Sequence, residues 1–291
     1  MTHASHHTYG THTDTSSNPA MTSADAPLLT VFTPFYKNIE YFDETIGSVL
    51  SQSFRDFEYL MINDGDPADA RRIESTFHDP RIRIINTSSP LGLSGSRNAG
   101  LTEARGELIA FIDSDDFCEP GRLAKQVTFL GAHPDHVLVG SGLRYVDERS
   151  QTIGSREYPE TDRDIKSRLV AVNCIAQPSV MARRQALIDA GGYNDEFPSA
   201  EDYALWIRLA RFGKYHNLQE PLVAYRIHLQ SGKHRLLRPA LRDTIGVKIQ
   251  ALRRHGFRPT PRALASIAGH AVLLALPSRV IYWLFRRLMV N

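Results

Sequence analysis

The chemistry in this chain is concentrated in a few short polar runs, each placed after or beside an apolar one. The run Phe111-Ile112-Asp113-Ser114-Asp115-Asp116 sets carboxylates at positions i and i+2 beyond a buried stretch. Hard divalent cations such as Mg²⁺ or Mn²⁺ take oxygen ligands, and Mg²⁺ usually combines one or two carboxylates with phosphate oxygens. The alternative is a strand-ending turn in which Asp caps the next element. A second acid, Asp64 in Asn63-Asp64-Gly65, follows another apolar run and converges on the same edge. In Gly92-Leu93-Ser94-Gly95-Ser96-Arg97-Asn98-Ala99-Gly100, glycines precede a helix and Arg97 adds a fixed cation, which suits an anion. That run lacks the G-x-G-x-x-G spacing of a dinucleotide site, and its glycines equally suit a turn and close helix packing. Asp202, in Ser199-Ala200-Glu201-Asp202, is a candidate general base, while Ser199 with an acid three residues on also reads as a capping box. His228, closing Tyr225-Arg226-Ile227-His228, is either a satisfied structural residue or a metal or phosphate ligand.

The elements that must hold these groups alternate. Residues 28–33 form a short apolar, β-branched run that suits a strand buried on both faces and ended by Pro34. A helix over 39–51, a strand over 57–62, a helix over 68–77, a strand over 82–86, a helix over 94–104 and a strand over 107–112 follow. Strands alternating with helices of about ten residues imply βαβ units and a mostly parallel sheet flanked by helices, an α/β fold. Ligands of such sheets sit beyond the carboxyl ends of the strands. The ends at Thr33–Tyr36, Asn63–Gly65 and Asp113–Asp116 therefore predict one shared site. Beyond Pro120 the pattern predicts a helix over 122–131, a strand over 137–141, a hairpin near 144–153 and a helix over 162–172. A strand over 177–182, a helix over 199–212, a strand over 222–228 and a helical segment over 238–291 complete it.

Composition bounds the rest. The chain has 291 residues, 42% hydrophobic and 23% charged, which excludes wholesale disorder. Thirty-four Lys+Arg against 32 Asp+Glu give a net +2, which argues against nucleic-acid binding through bulk charge. Cys118 and Cys174 are the only cysteines, so neither a disulfide scaffold nor a four-cysteine zinc site is available. Residues 1–26, rich in Thr, Ser and His, lack the apolar run of a signal peptide and read as a disordered tail.

Taken in order, these runs resemble the family-2 inverting glycosyltransferases of the GT-A fold. The resemblance rests on Thr33-Pro34-Phe35-Tyr36, Ser48-Val49-Leu50-Ser51-Gln52, Asn63-Asp64-Gly65, Ser96–Gly100 and Asp113–Asp116. Gly191-Gly192-Tyr193, Glu201–Trp206 and Tyr225–His228 continue it, so that it spans about residues 28–231. It implies a nucleotide-sugar donor, a UDP-sugar by default, held by Thr33, Pro34, Tyr36, Asp64, Arg97, Asp113 and Ser114. It also implies a divalent metal, Mn²⁺ or Mg²⁺, at Asp115, with His228 as a second ligand. Asp202 would deprotonate the acceptor hydroxyl for an in-line displacement with inversion, and Glu201, Trp206 and Gln177 would face the acceptor or the transferred sugar. Asn63 departs from the family, which usually has a second Asp there, and Asp66 stands where Ser is commoner. Two other readings remain: a sugar-phosphate nucleotidyltransferase, which needs a basic loop where Thr33–Lys37 offers only Lys37, and a non-catalytic nucleotide-sugar-binding partner of a membrane complex.

The net charge hides a division. Residues 233–291 hold twelve Lys+Arg and one acid, Asp243, for +11, leaving −9 for residues 1–232. Ala263–Leu276 is apolar over only 14 residues, short of the ~20 that span a bilayer. Ile281–Arg287 mixes large apolar groups with cations, as interfacial helices do. The division expected is a tail over 1–26, a GT-A domain over 27–232 and a basic amphipathic helical segment over 233–291. Two expectations compete for that segment, packing on the domain and attachment to an anionic membrane surface. The second suits a cytoplasmic enzyme held peripherally at the inner face, with a glycan or lipid-linked acceptor and no nucleic acid.

Overall fold

The first strand, β1 (Leu29–Phe35), runs through Pro34 instead of stopping before it. The Phe32 carbonyl accepts from the Ile112 N–H at 3.1 Å and the Phe35 carbonyl from Asp64 N–H at 2.9 Å, on opposite sides of the strand. Residue 34 therefore faces the Ile112 side, where pairing with β4 (Leu108–Phe111) ends at Phe32↔Phe111. The missing N–H of proline falls where no ladder bond is needed.

The computed structural model describes residues 26–37, 39–228, 237–277 and 281. Most of the N-terminal tail, the 232/233 boundary and the interfacial run after Ile281 lie outside them. Strand β2 (Phe57–Asn63) is buried at every position, as a strand covered on both faces requires. With β3 (Ile82–Asn86) the order β3-β2-β1-β4 is wholly parallel. Helices α1 (Phe42–Leu50), α2 (Pro67–Thr76) and α3 (Gly92–Glu103) connect these strands. Asp66 caps α2 by accepting from Ala68 N–H at 2.8 Å, with Pro67 in the first turn. From β1 the chain builds outward to β2 and β3 on one side and then to β4 on the other, so the switch point lies between β1 and β4.

The second half is mixed. It contains β5 (Phe117–Cys118), α4 (Arg122–Ala132), β6 (His136–Val146), β7 (Thr152–Arg156) and α5 (Asp162–Leu169). Next come β8 (Met181–Arg183), α6 (Arg184–Asp189), α7 (Glu201–Leu209) and β9 (Lys214–Arg226). The sheet continues β4-β8-β6-β9-β5, parallel only at β6–β9, with β7 on the far end of β6. Residues 177–179, expected in a strand, form a 3₁₀ turn before β8. Both long strands extend past the apolar stretches that announced them. Gly142 is required at the irregularity in β6, where a Cβ would sit 3.1 Å from the Arg156 carbonyl and 3.3 Å from that of Glu220.

Two apolar clusters pack on the sheet. The C-terminal segment joins one of them: Val247 of α8 (Leu237–Arg254) and Ala263 of α9 (Pro261–Ala275) are buried with Trp206 and Leu205. Lys248 is buried as well, its Nζ donating to the Ala171 carbonyl at 2.9 Å and to Ser266 Oγ at 2.7 Å. Burial pushes this ammonium down to about 8.

Candidate active site

The carboxyl ends of β1, β2 and β4 open into a cleft of about 570 Å³ and an adjoining hollow of about 280 Å³, with Pro34 and Leu93 shared by both. The hollow is walled by Tyr36 and Leu93, which are 54% and 48% exposed, and by Asp64 and Ser96. Flat apolar surface beside one carboxylate suits a nucleobase, which stacks on its faces and hydrogen-bonds at its edge. Asp64 is held rigidly. Its Oδ1 accepts from Leu91 N–H at 2.7 Å and Thr87 Oγ1 at 2.9 Å, and its Oδ2 accepts from Gly92 N–H at 2.9 Å, at the start of α3. Asn63 explains its departure from Asp: its Nδ2 donates to the Asp66 carbonyl at 2.9 Å and to Asn86 Oδ1 at 2.7 Å. A carboxylate could make neither bond.

Asp113, Ser114 and Asp115 line the cleft beyond β4. Asp115 Oδ2 lies 2.9 Å from His228 Nε2, so an oxygen and a nitrogen donor from two strand ends converge. Arg226 fixes the Asp115 end of this pair. Its Nε donates to the Asp115 carbonyl at 3.0 Å, its guanidinium is ion-paired to Glu44 and lies 4.2 Å from the Tyr41 ring centre, and its N–H bonds Asp116 Oδ1 at 2.8 Å. Among the described residues no three His, Cys, Asp or Glu side chains cluster as a complete metal site. The Asp115–His228 pair is a partial ligand set, which fits a cation whose remaining ligands are water and substrate phosphate.

Arg97 sits between the two walls, 4% exposed, paired to Glu201 and 3.7 Å from Asp113 Oδ1. Burial opposes its charge, but Glu201, Tyr193, Asp113 and Asp202 outweigh it and hold the guanidinium above its ordinary pKa. Burial pushes the Glu201 carboxyl up, against the pull of Arg97, and neighbouring Asp202 adds to the rise. Two of the sequence motifs exist to place this arginine. Asn98 donates from Nδ2 to the Tyr193 carbonyl at 2.7 Å and accepts from Tyr193 N–H at 2.8 Å, while Arg97 lies 5.2 Å from the Tyr193 ring centre. Gly192, at φ +59°, leaves room for Asn98, since a Cβ would come 2.6 Å from its Oδ1. Gly100 packs flat against Phe32, so that glycine serves helix packing, not an anion.

The capping reading of Ser199 does not hold. The N-cap of α7 is Ala200, without a side-chain cap, and Ser199 N–H instead bonds Asp243 Oδ2 of α8 at 2.9 Å. Glu201 and Asp202 occupy the first turn of α7, where the helix dipole favours carboxylates. Asp202 faces the cleft and accepts from Tyr203 N–H at 2.6 Å.

The structure thus brings Pro34, Arg97, Asp113, Ser114, Asp115, Gln177, Glu201 and Asp202 to one cleft, and Pro34, Tyr36 and Asp64 to the hollow beside it. Gln177 donates to Tyr193 Oη at 2.8 Å. Thr33, Trp206 and His228 do not line either cavity, His228 being 4% exposed and reaching the cleft only through Asp115. Thr33 is fully buried and donates to the Ile112 carbonyl at 2.9 Å, which holds β1 to the end of β4. Trp206, also 0% exposed, lies in the core cluster, one turn along α7 from Asp202. Sequence reasoning missed Tyr145, Arg156 and Tyr158, which line the cleft with Tyr225 of the last strand-end run. The Tyr-rich edges of the 144–153 hairpin were the available signal.

Residues 30–191 match the family model described as glycosyl transferase family 2. O-antigen biosynthesis glycosyltransferase WbnJ of Escherichia coli is 33% identical over 211 residues, 70% of this chain and 81% of that protein. Amylovoran biosynthesis glycosyltransferase AmsE of Erwinia amylovora is 28% identical over 176 residues, 60% of this chain and 65% of that protein. Among solved structures, the mannosyltransferase PcManGT of Pyrobaculum calidifontis, in complex with GDP-Man and Mn²⁺, superposes with TM-score 0.62 at 16% identity over 96% of this chain and 85% of that one. S. aureus TarS in complex with UDP-GlcNAc gives 0.59 at 18% identity over 87% and 82%. The fold is the GT-A fold of these enzymes, and the chain belongs to glycosyl transferase family 2.

Proposed function

We propose that this glycosyltransferase moves a sugar from a nucleotide-diphosphate sugar, a UDP-sugar by default, to a hydroxyl of a glycan or lipid-linked acceptor, with inversion, in cell-envelope polysaccharide synthesis. The observation that carries the reading is that Asp202, with one carboxylate oxygen unbonded among the described residues, shares one cleft with Asp115, whose carboxylate meets His228. The relatives named for O-antigen and amylovoran biosynthesis support the pathway class, and the GDP-Man and UDP-GlcNAc complexes support the donor class. The base and ribose would lie against Tyr36, Asp64 and Asp113. Asp202 would take the proton as the acceptor oxygen bonds to the anomeric carbon and the bond from that carbon to the diphosphate oxygen breaks. The nucleoside diphosphate leaves on the opposite face. General-base help of this kind is typically worth 10²–10⁴-fold.

A divalent cation would be held by Asp115 and His228 and, when bound, would offset negative charge on the departing diphosphate. Arg97 contributes from the protein side but is already paired to Glu201 and Asp113, so it acts mainly to fix the cleft's two walls. Attachment to an anionic membrane surface would use α9, whose Leu264 and Val272 are 53% and 62% exposed, with the basic residues around it. Each nearby Lys or Arg would add about 1 kcal/mol at such a surface. Among the described residues no helix is long and apolar enough to cross a membrane. The test is a panel of UDP- and GDP-sugars with and without Mn²⁺, read by calorimetry and by NMR of the product's anomeric configuration. Metal-dependent binding of one donor with an inverted product is expected. A retained configuration, or no nucleotide-sugar binding, overturns the reading.

A further inference from the structure

The cleft contains four carboxylates, Asp113, Asp115, Glu201 and Asp202, and two cations among the described residues. Arg97 is neutralised by Glu201 and Asp113. Arg156 is not. The neighbours acting on it are Tyr158, Tyr145 and Cys174, with no carboxylate among them. Its guanidinium lies 5.0 Å from the Tyr158 ring centre, and Tyr145 lines the cleft beside it. Arg156 is exposed on β7, so its guanidinium is reachable from the cleft. A guanidinium stacked on a phenol ring is pre-aimed, and its fork geometry matches a phosphate or carboxylate.

Its position along the sheet separates it from the donor's phosphates. Arg156 pairs with Leu143 of β6, whereas Arg226, which holds Asp115, pairs with Val146. Three residues of strand put these backbone levels about 10 Å apart. That exceeds the extent of a diphosphate, so Arg156 stands at a different level of the cleft from the one where Arg226 holds Asp115. On the same side the wall from Val172 to Gln177 begins next to Ala171, whose carbonyl is bonded by Lys248 and Ser266 of the C-terminal helices.

We infer that Arg156, framed by Tyr145 and Tyr158, is an anion subsite of the acceptor half of the cleft and takes a phosphate carried by the acceptor. The inference rests on the glycosyl-transfer reading and narrows its acceptor to a phosphorylated saccharide. The donor's own β-phosphate is the competing source of the same chemistry, and the experiment separates the two. Wild type, Arg156→Gln and Arg156→Lys are saturated with UDP and Mn²⁺ and titrated with glucose 1-phosphate or methyl α-glucoside, with UDP affinity measured separately. Wild type should bind glucose 1-phosphate at least about tenfold more tightly than the glucoside. Arg156→Gln should abolish that preference, Arg156→Lys should keep part of it, and UDP affinity should stay within about twofold in all three. A preference that survives in Arg156→Gln, or none in wild type, overturns the inference. A tenfold loss of UDP affinity in Arg156→Gln assigns the residue to the donor and also overturns it. Failure of wild type to bind UDP would instead count against the glycosyl-transfer reading, which the UDP titration reports independently.

Discussion

Replacing Arg97 by Met tests whether the cleft is held together by a buried charge lock. Arg97 and Glu201 are 4% and 7% exposed and directly paired, with Asp113 3.7 Å from the same guanidinium. Removing one member of a buried pair strands the other charge and costs about 3–5 kcal/mol. At about 2–4 °C per kcal/mol for a chain of this class, the melting temperature should fall by about 10 °C at pH 8. The pH dependence supplies an independent signature. The folded-state pKa of Glu201 is already raised above its ordinary 4.5, and losing Arg97 raises it further. A group with a raised folded pKa favours the folded state below its unfolded value and loses that contribution as pH rises through the folded one. The deficit of Arg97→Met relative to wild type should therefore shrink between pH 8 and pH 5. Adding Glu201→Gln should restore about 1–3 kcal/mol at pH 8, because no unpaired charge then remains at that position. Thermal unfolding followed by circular dichroism measures all three. A drop below 2 °C, a deficit that is flat or larger at pH 5, or a double variant whose losses simply add would refute the charge lock.

Three further outcomes are expected. Asn63→Asp should destabilise the protein by about 1–3 kcal/mol in denaturant unfolding, since a carboxylate meets the Asp66 carbonyl and Asn86 Oδ1 where an amide donates; unchanged stability would contradict that geometry. Lys248, at about 8 in the folded chain, binds its proton less tightly there than when unfolded. Its contribution to stability should rise with pH from about 8 to 10.5, by up to ~1.4 kcal/mol per unit, and Lys248→Met should flatten that rise. A steeper rise in the variant would show that the residue is not desolvated. Asp115→Ala should remove the Mn²⁺ dependence of nucleotide affinity in calorimetry, leaving metal-free UDP binding within about twofold; intact Mn²⁺ dependence would place the cation elsewhere.

Much of the donor half was legible because its signals are local. Period-free apolar runs such as Phe57–Asn63 announce strands buried on both faces, and Asp64 and Asp113 follow them directly in sequence. The Glu201–Asp202 pair was found the same way, although Ser199 was given a capping role that the long-range partner Asp243 has taken. Local pattern could not tell that Trp206 is buried, since its spacing puts it on the same side of α7 as Asp202 and the groups that cover it come from other elements. Nor could it reveal β5, a two-residue strand defined only by pairing with β9, or Arg226 as the hub joining Glu44, Asp115 and residues 147–150. The Tyr145, Arg156 and Tyr158 wall depends on the β6–β7 register, which is set by tertiary contacts of β6 with three other strands.

The central claim is that Asp202 acts as the general base in a cleft that binds a nucleotide-sugar independently of that carboxylate. The most direct measurement compares wild type with Asp202→Asn for turnover of the preferred nucleotide-sugar, with water or sugar as acceptor, and for UDP affinity in parallel. Asparagine can still accept the Tyr203 N–H that Asp202 accepts at 2.6 Å, so the first turn of α7 is preserved. Turnover should fall by about 10²–10⁴-fold while UDP affinity stays within about twofold. Near-normal turnover in the variant, or a loss of turnover matched by an equal loss of UDP binding, would contradict the account.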